Sequence, residues 1–186
     1  MRLFIAIEIP EDIKKLITEV QGKIKASGVN ANWTRPEGVH FTLKFFGEVP
    51  ESKVGTIMTG LTSACKGINT FQLEISNAGA FPNIRNPRVI WLGISGDTGP
   101  LAKIQVSIEE GMANLGFERE KRKFSPHLTL ARIKFLRAKD NWQKALENVK
   151  DIKFPAFIAD HVSLMKSELN PSGAVYTEIG RIALTK

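Results

Sequence analysis

The sequence is poor in cysteine and has no long hydrophobic run. Cys65 is the one cysteine among 186 residues, which excludes a disulfide within the chain and fits a reducing compartment. We predict no nucleophilic role for it. Glu8 and Pro10 interrupt the apolar run near the N-terminus, and no segment has the length of a membrane span. The sequence therefore predicts a soluble, cytoplasmic protein that does not bind membranes.

Motifs for several catalytic and nucleotide-binding sites are also missing. The chain contains no Gly-x-Ser-x-Gly nucleophile elbow, which argues against a serine hydrolase triad. It has neither a Walker-type nor a Rossmann glycine-rich loop, so these two modes of nucleotide binding are not predicted.

The charge and length of the chain suggest its class of partner and its domain organisation. Lysine and arginine number 26 and aspartate and glutamate 19, which gives a net charge of +7 and favours polyanionic partners. The length is that of one domain with a substantial core. We predict that residues 1–186 form a single domain made of two intertwined lobes that share one cleft.

Histidine is scarce, yet two of the three histidines occupy the same four-residue frame. The segments are His40–Leu43 and His127–Leu130, each with a threonine two residues after the histidine. In an extended strand, residues two apart face the same side, so each motif presents an imidazole and a hydroxyl together. Imidazole gains or loses a proton near neutral pH, and a hydroxyl can donate to an anionic oxygen. Two facing motifs would provide an acid, a base and an anion-binding site.

The chain around the two motifs indicates an internal duplication. A short apolar run starts at Phe4 and another at Val89, and each is followed by apolar residues at helical spacing before the motif. The motif histidine comes 36 residues after Phe4 in the first copy and 38 residues after Val89 in the second. We therefore predict a repeated unit of strand, amphipathic helix and motif strand.

The remaining pattern predicts an α+β protein with largely antiparallel sheets. Strands are predicted at about residues 2–9, 32–34, 39–46, 71–76, 89–94, 127–133, 161–167 and 175–184. Helices are predicted at about residues 10–27, 52–66, 100–115 and 140–148. Residues 79–88 are predicted to form a loop, and residues 170–173 a type I turn.

A zinc site is the first alternative for the two histidines. Neither motif offers a cysteine, aspartate or glutamate at ligand spacing, and hydrolytic zinc usually has three protein ligands. His161 lies on a predicted strand of alternating apolar residues, so we expect a hydrogen-bonded structural histidine there rather than a third ligand. We predict no metal and no cofactor.

The chemistry that remains is metal-free general acid–base catalysis on a phosphate ester. One histidine would take a proton from the attacking oxygen and the other would protonate the leaving oxygen, while Thr42 and Thr129 bind nonbridging oxygens. A cyclic phosphodiester suits these groups because ring strain and an alkoxide leaving group make proton transfer the main demand. From strand alternation we place Arg132 beside the motif, where it can bind the phosphate, and Lys44 outside the cleft.

Nearly the whole chain resembles the RNA 2′,3′-cyclic phosphodiesterases, historically called 2′-5′ RNA ligases, of the two-histidine phosphoesterase superfamily. The resemblance rests on both motifs with their flanking residues and on four further segments, namely Arg2–Ile7, Gly79–Pro82, Arg88–Trp91 and the Tyr176 strand that follows residues 171–173.

This resemblance implies a bilobal, pseudo-twofold fold in which antiparallel sheets line a central cleft and helices pack outside. It implies that His40 is the proton donor and His127 the proton acceptor. The implied reaction is hydrolysis of a terminal RNA 2′,3′-cyclic phosphate to a 2′-phosphate without a metal. Reversible 2′-5′ joining of RNA or tRNA fragments is the related activity.

Further side chains are candidates for contacts to the RNA or its terminal nucleotide. Phe81 and Tyr176 can stack on or hydrogen-bond the nucleotide, and Arg35, Arg85 and Arg88 flank the motif strands or their loops. We expect a monomer. Two alternatives stay open at this point: a noncatalytic RNA-end binder, and a related enzyme that acts on small cyclic nucleotides or ADP-ribose cyclic phosphate.

Overall fold

The structure, a computed structural model, describes residues 1–137, 141–170 and 173–186. The first half of the chain forms β1 (Arg2–Glu8), α1 (Glu11–Lys25), β2 (Asn30–Trp33), β3 (His40–Glu48), α2 (Val54–Cys65) and β4 (Phe71–Phe81). The second half forms β5 (Val89–Gly96), α3 (Thr98–Asn114), β6 (His127–Phe135), α4 (Trp142–Lys150), β7 (Phe157–Ala159), β8 (His161–Asn170) and β9 (Gly173–Ala183). Short 3₁₀ turns lie at Pro36–Gly38 and Glu51–Lys53.

Helix α1 shows how local sequence sets these boundaries. Acidic residues occupy its first turn and basic residues its last, which suits the helix dipole. Its apolar residues recur every three or four positions and are buried. Gly28 adopts a φ of 86° just after the helix, a conformation that favours glycine and turns the chain toward β2.

The strands form two antiparallel sheets that meet along the motif strands. The first sheet has the order β3-β1-β8-β9 and the second the order β2-β6-β5-β4-β7. The first motif strand, β3, is an edge of the first sheet, whereas β6 lies inside the second sheet between β2 and β5. Strands β3 and β6 contact each other, so the sheets bring both histidine motifs to one boundary.

The helices pack across the two halves of the chain. Helix α1, from the first half, reaches the second sheet through Gln21, whose side-chain amide donates to the Leu130 carbonyl at 3.0 Å. Helix α3, from the second half, packs against β3 of the first sheet. Each half of the chain therefore supplies a helix that packs against a motif strand from the other half.

Each motif strand carries a β-bulge at the same place. In β3, consecutive residues Ile5 and Ala6 of β1 pair with Lys44 and Thr42, so one residue of β3 is left without a partner. In β6, consecutive residues Ile90 and Trp91 of β5 pair with Ala131 and Thr129, so one residue of β6 is skipped in the same way. Two consecutive residues are thus buried after each motif threonine, and the next residue returns to the threonine's side. The bulge positions Phe45 in the first copy and Arg132 in the second.

The predicted α+β class and the order of the predicted elements are confirmed, with two differences. The prediction of a loop from residue 79 was wrong for its first part, because β4 continues to Phe81 and pairs there with Val89. Strand β7 was not predicted, since a strand of three residues carries almost no periodic signal. The predicted turn at residues 170–173 and the start of the helix predicted at 140 fall partly outside the described residues. No described helix is long and apolar enough to cross a membrane.

Candidate active site

A cleft of about 820 Å³ lies where the two sheets meet. The first sheet contributes His40 and Thr42 from the first motif, and the second sheet contributes Arg132 from β6. His127 and Thr129 precede Arg132 on β6, and they lie outside the set of residues that line this cavity. The cleft is therefore lined by the histidine and threonine of the first motif and by the arginine that follows the second motif.

His40 is held between two aromatic rings. The Phe4 ring stacks on the imidazole with 4.5 Å between centroids, and the Tyr176 ring meets it edge-on at 5.0 Å. Burial lowers the pKa of His40 from 6.5 to about 4, and a backbone hydrogen bond with Gly38 opposes this shift. Gly38 is required by the same packing, because a Cβ there would lie 2.7 Å from the Tyr176 ring. His40 is therefore neutral at neutral pH in the ligand-free protein.

His127 has a matching arrangement in the second repeat. Its Nδ1 lies 2.7 Å from the carbonyl oxygen of Ser125, which can only accept, so Nδ1 carries a proton and donates it. In the neutral ring Nε2 is then the unprotonated nitrogen. The Phe81 ring meets the imidazole edge-on at 4.9 Å. Both motif histidines thus bond the backbone two residues earlier, at Gly38 and at Ser125.

The bulges decide where the two candidate cations lie. Arg132 lines the cleft as predicted, and Lys44 lies outside it as predicted. Strict alternation, however, would place Lys44 on the same side as His40, and Arg132 on the side opposite to His127. Our use of alternation was therefore wrong, and the extra residue in each strand is what places both side chains.

The other predicted contact residues are divided among different surfaces. Tyr176 and Arg35 line the cleft, and Phe81 contacts His127. Arg85 lines separate cavities, one beside Trp91 and one beside α4, and does not line the cleft. Arg88 is exposed in the loop just before β5 and does not line the cleft either.

Phe45 is a cleft residue that the sequence analysis missed. Its side chain is 51% exposed in the cleft, and the Arg2 guanidinium lies 5.4 Å from its ring centroid. Alternation hid Phe45 because it would assign it to the buried side of β3. The duplication gave the usable signal, since aligning the two motifs pairs Phe45 with Arg132.

His161 lies in a network of carboxylates rather than with the motif histidines. Its Nδ1 is 2.5 Å from an Asp160 carboxylate oxygen, and its Nε2 is 3.7 Å from Glu8. Ligand atoms of Glu8, His161 and Glu178 lie within 4.8 Å of one another, as a metal site would require. Glu178 is also bonded by Arg181 and Ser163. Among the described residues, no such group of three includes His40 or His127.

Comparison with known proteins identifies related sequences and folds. The family model for LigT-like phosphoesterases matches twice, over residues 7–91 and 92–176, which confirms the predicted duplication. An RNA 2′,3′-cyclic phosphodiesterase of Methanocaldococcus jannaschii is 39% identical over 96% of this chain and 98% of its own. One from Thermotoga maritima is 35% identical over 95% and 91%, respectively.

Two solved structures show the same fold over nearly the whole chain. A protein of Thermus thermophilus superposes with a TM-score of 0.83 at 26% identity, covering 99% of this chain and 98% of that one. Escherichia coli LigT in complex with 3′-AMP superposes with a TM-score of 0.78 at 24% identity, covering 100% and 98%. At that identity the second match speaks for the fold alone.

Proposed function

The chain belongs to the LigT-like phosphoesterase family, and we propose that it hydrolyses the 2′,3′-cyclic phosphate at the end of an RNA strand to a 2′-phosphate. The observation that carries the proposal is the pair of matching imidazoles, each bonded to the backbone two residues earlier, on motif strands that contact each other. Relatives named RNA 2′,3′-cyclic phosphodiesterase cover almost the full chain, which supports the same substrate class.

His127 is suited to act as the general base. Because its Nδ1 proton is donated to Ser125, the Nε2 lone pair of the neutral ring is free to accept a proton from the attacking water. The water oxygen forms a bond to phosphorus while the bond from phosphorus to the 3′ oxygen breaks. The phosphate then remains on the 2′ oxygen.

His40 protonates the 3′ oxygen as it leaves. The ligand-free ring is neutral, so it must gain a proton when substrate binds. The phosphodiester carries a negative charge, and an anion next to an imidazole raises its pKa. Substrate binding therefore supplies the electrostatic condition for the donor role, since it stabilises the imidazolium that burial disfavours.

Thr42, Thr129 and Arg132 bind the nonbridging phosphate oxygens. The two hydroxyls share the motif faces, and the guanidinium offers charge-assisted hydrogen bonds from the cleft wall. In joining, the 5′ hydroxyl of a second RNA replaces water as the nucleophile, so His127 takes its proton and His40 protonates the leaving 3′ oxygen as before. The two histidines exchange roles in the reverse direction, in which the 3′ hydroxyl attacks the 2′-5′ linkage and the 5′ oxygen leaves. Reversible 2′-5′ joining of RNA or tRNA fragments, by a monomeric protein in the cytoplasm, is part of the proposal.

A single assay tests the reaction and its independence from metal. An oligoribonucleotide ending in a 2′,3′-cyclic phosphate is incubated with the protein in excess EDTA, and the position of the product phosphate is identified. We expect a 2′-phosphate at an undiminished rate, because the groups that we assign are side chains. Loss of activity with EDTA and recovery with zinc would overturn the mechanism. Binding without turnover would indicate a noncatalytic RNA-end binder.

The protonation of His40 gives a second test, by NMR titration of the imidazole. In the ligand-free protein we expect its pKa to be about 4, and a bound nucleoside 2′-phosphate should raise it. A free-protein value near 6.5, or no increase with the nucleotide, would contradict the proposed role.

The same shift predicts how stability depends on pH. Between pH 6.5 and about 4 the unfolded chain binds a proton at this position that the folded protein does not. The free energy of unfolding should therefore fall as pH decreases through that window. A His40→Gln variant should lose less stability over the same window than the unsubstituted protein, measured by urea unfolding at a series of pH values.

A further inference from the structure

A second groove of about 300 Å³ lies next to the cleft, and Phe45 lines both. The far wall of this second groove is the segment between α3 and β6. We define residues 118–123 of that segment as the basic loop. Its residues are all exposed. Phe45 therefore stands at the boundary between the candidate active site and the basic loop.

The charge of the basic loop favours an anionic ligand. It contains four cations and two carboxylates. Glu118 pairs with Lys121 at 3.0 Å, and Glu120 accepts from the backbone of Arg122. No carboxylate in the described part of the chain pairs with the side chains of Arg119, Arg122 or Lys123. Three cations are thus available to phosphate groups.

A buried ion pair fixes the basic loop in this position. The Lys44 ammonium lies 2.8 Å from the Glu109 carboxylate, with side chains 2% and 12% exposed. Lys44 also donates to the Glu118 carbonyl at 2.9 Å, and Glu109 accepts from the Glu120 backbone N–H at 3.2 Å. Since Lys44 directly precedes Phe45 on β3, the pair holds the loop next to the motif strand.

Phe45 offers a surface on which a base can stack. An exposed aromatic ring in a cationic groove is a common platform for single-stranded nucleic acids, because every base has a π-face. Phe45 occupies the position that Arg132 has in the other repeat. The two equivalent positions after the bulges therefore present an aromatic ring in the first repeat and a guanidinium in the second.

We propose that the RNA strand on the 5′ side of the terminal nucleotide leaves the cleft across Phe45 and binds through its phosphates to the basic loop. This inference rests on the proposed function and specifies its substrate, a strand of several nucleotides rather than a free cyclic nucleotide. Arg119 and Arg122 contact phosphates, and Phe45 stacks on a base next to the terminal one.

The test compares a nucleoside 2′,3′-cyclic phosphate with an octaribonucleotide that ends in the same group. In the Arg119→Gln/Arg122→Gln variant, the ratio of kcat/KM for the octanucleotide to that for the mononucleotide should fall at least fivefold. The slope of log(kcat/KM) for the octanucleotide against log salt should decrease in magnitude by roughly 1.4, since two phosphate contacts are removed and each contributes about 0.7 in single strands. Phe45→Leu should lower the same ratio for a dinucleotide.

A matched control removes two charges elsewhere. Lys15 and Lys23 are exposed on α1, and the Lys15→Gln/Lys23→Gln variant has the same net charge as the loop variant. This control variant should keep the ratio of kcat/KM values that the unsubstituted protein has. Equal ratios in the two variants would overturn the proposal. If the unsubstituted protein cleaves neither substrate, the proposed function fails. The role of the basic loop can then still be tested by fluorescence anisotropy with an octanucleotide that ends in a 2′-phosphate. Equal affinity of the loop variant and the control variant would overturn the proposal that the loop binds RNA.

Discussion

Replacing either His40 or His127 by alanine should reduce kcat for the cyclic phosphate by at least roughly 100-fold, the effect expected when a general acid or base is lost. The two rings are not redundant, because one must accept a proton while the other donates one in the same step. Removing both should cost little more than removing one, since groups that act as a unit have non-additive effects.

His161 provides the matched control for this prediction. It is the remaining histidine, and its contacts are to Asp160 and Glu8 rather than to the motif strands' cleft. We expect His161→Gln to keep kcat within a few fold. Single-turnover rates and circular dichroism of all three variants would separate lost chemistry from lost structure. Near-normal kcat in either motif variant would exclude the proposed pairing of the histidines.

The sequence was sufficient to predict the architecture, and it singled out the motif residues as candidates, because both signals are periodic and repeated. Helical spacing located α1 and α3, and the repeated frame located both histidines and both threonines. The duplication also extends to backbone contacts that sequence periodicity does not predict. The backbone partners Gly38 and Ser125 both lie two residues before a motif histidine.

The β-bulges could not be predicted, and they control which side chains enter the cleft. A bulge adds one residue to one strand and depends on its pairing with a neighbour far away in sequence, so alternation within the strand does not report it. For this reason the reasoning for Arg132 and Lys44 was wrong although both placements are right. Phe45 was missed for the same reason.

Long-range packing also limited the assignment of surface arginines. Arg85 was predicted as a nucleotide contact because it flanks the motif strands or their loops in sequence, but the loop after β4 directs it to cavities beside Trp91 and α4. Arg35, by contrast, reaches the cleft. Which loop faces the cleft depends on how the two sheets meet, a property of the whole fold.

The Lys44–Glu109 pair should have the largest effect on stability. Lys44→Met removes the ammonium but keeps most of the side-chain volume, which leaves the Glu109 carboxylate buried without its cation. Breaking such a pair costs about 3–5 kcal/mol of the free energy of unfolding. The exposed pair of Lys150 and Glu147 is the control, since Lys150→Met should cost less than about 1 kcal/mol. Urea unfolding measures both.

The double variant Lys44→Met/Glu109→Leu separates the effect of the ion pair on stability from its role in holding the basic loop. Replacing both partners removes the unpaired charge, so the loss of stability should be much smaller than the sum of the two single losses. The folded double variant still lacks both bonds to the basic loop, at the Glu118 carbonyl and the Glu120 N–H. Its kcat/KM for an octanucleotide should fall relative to that for the mononucleotide. A stable double variant with the unsubstituted ratio would show that RNA binding does not need the anchored loop.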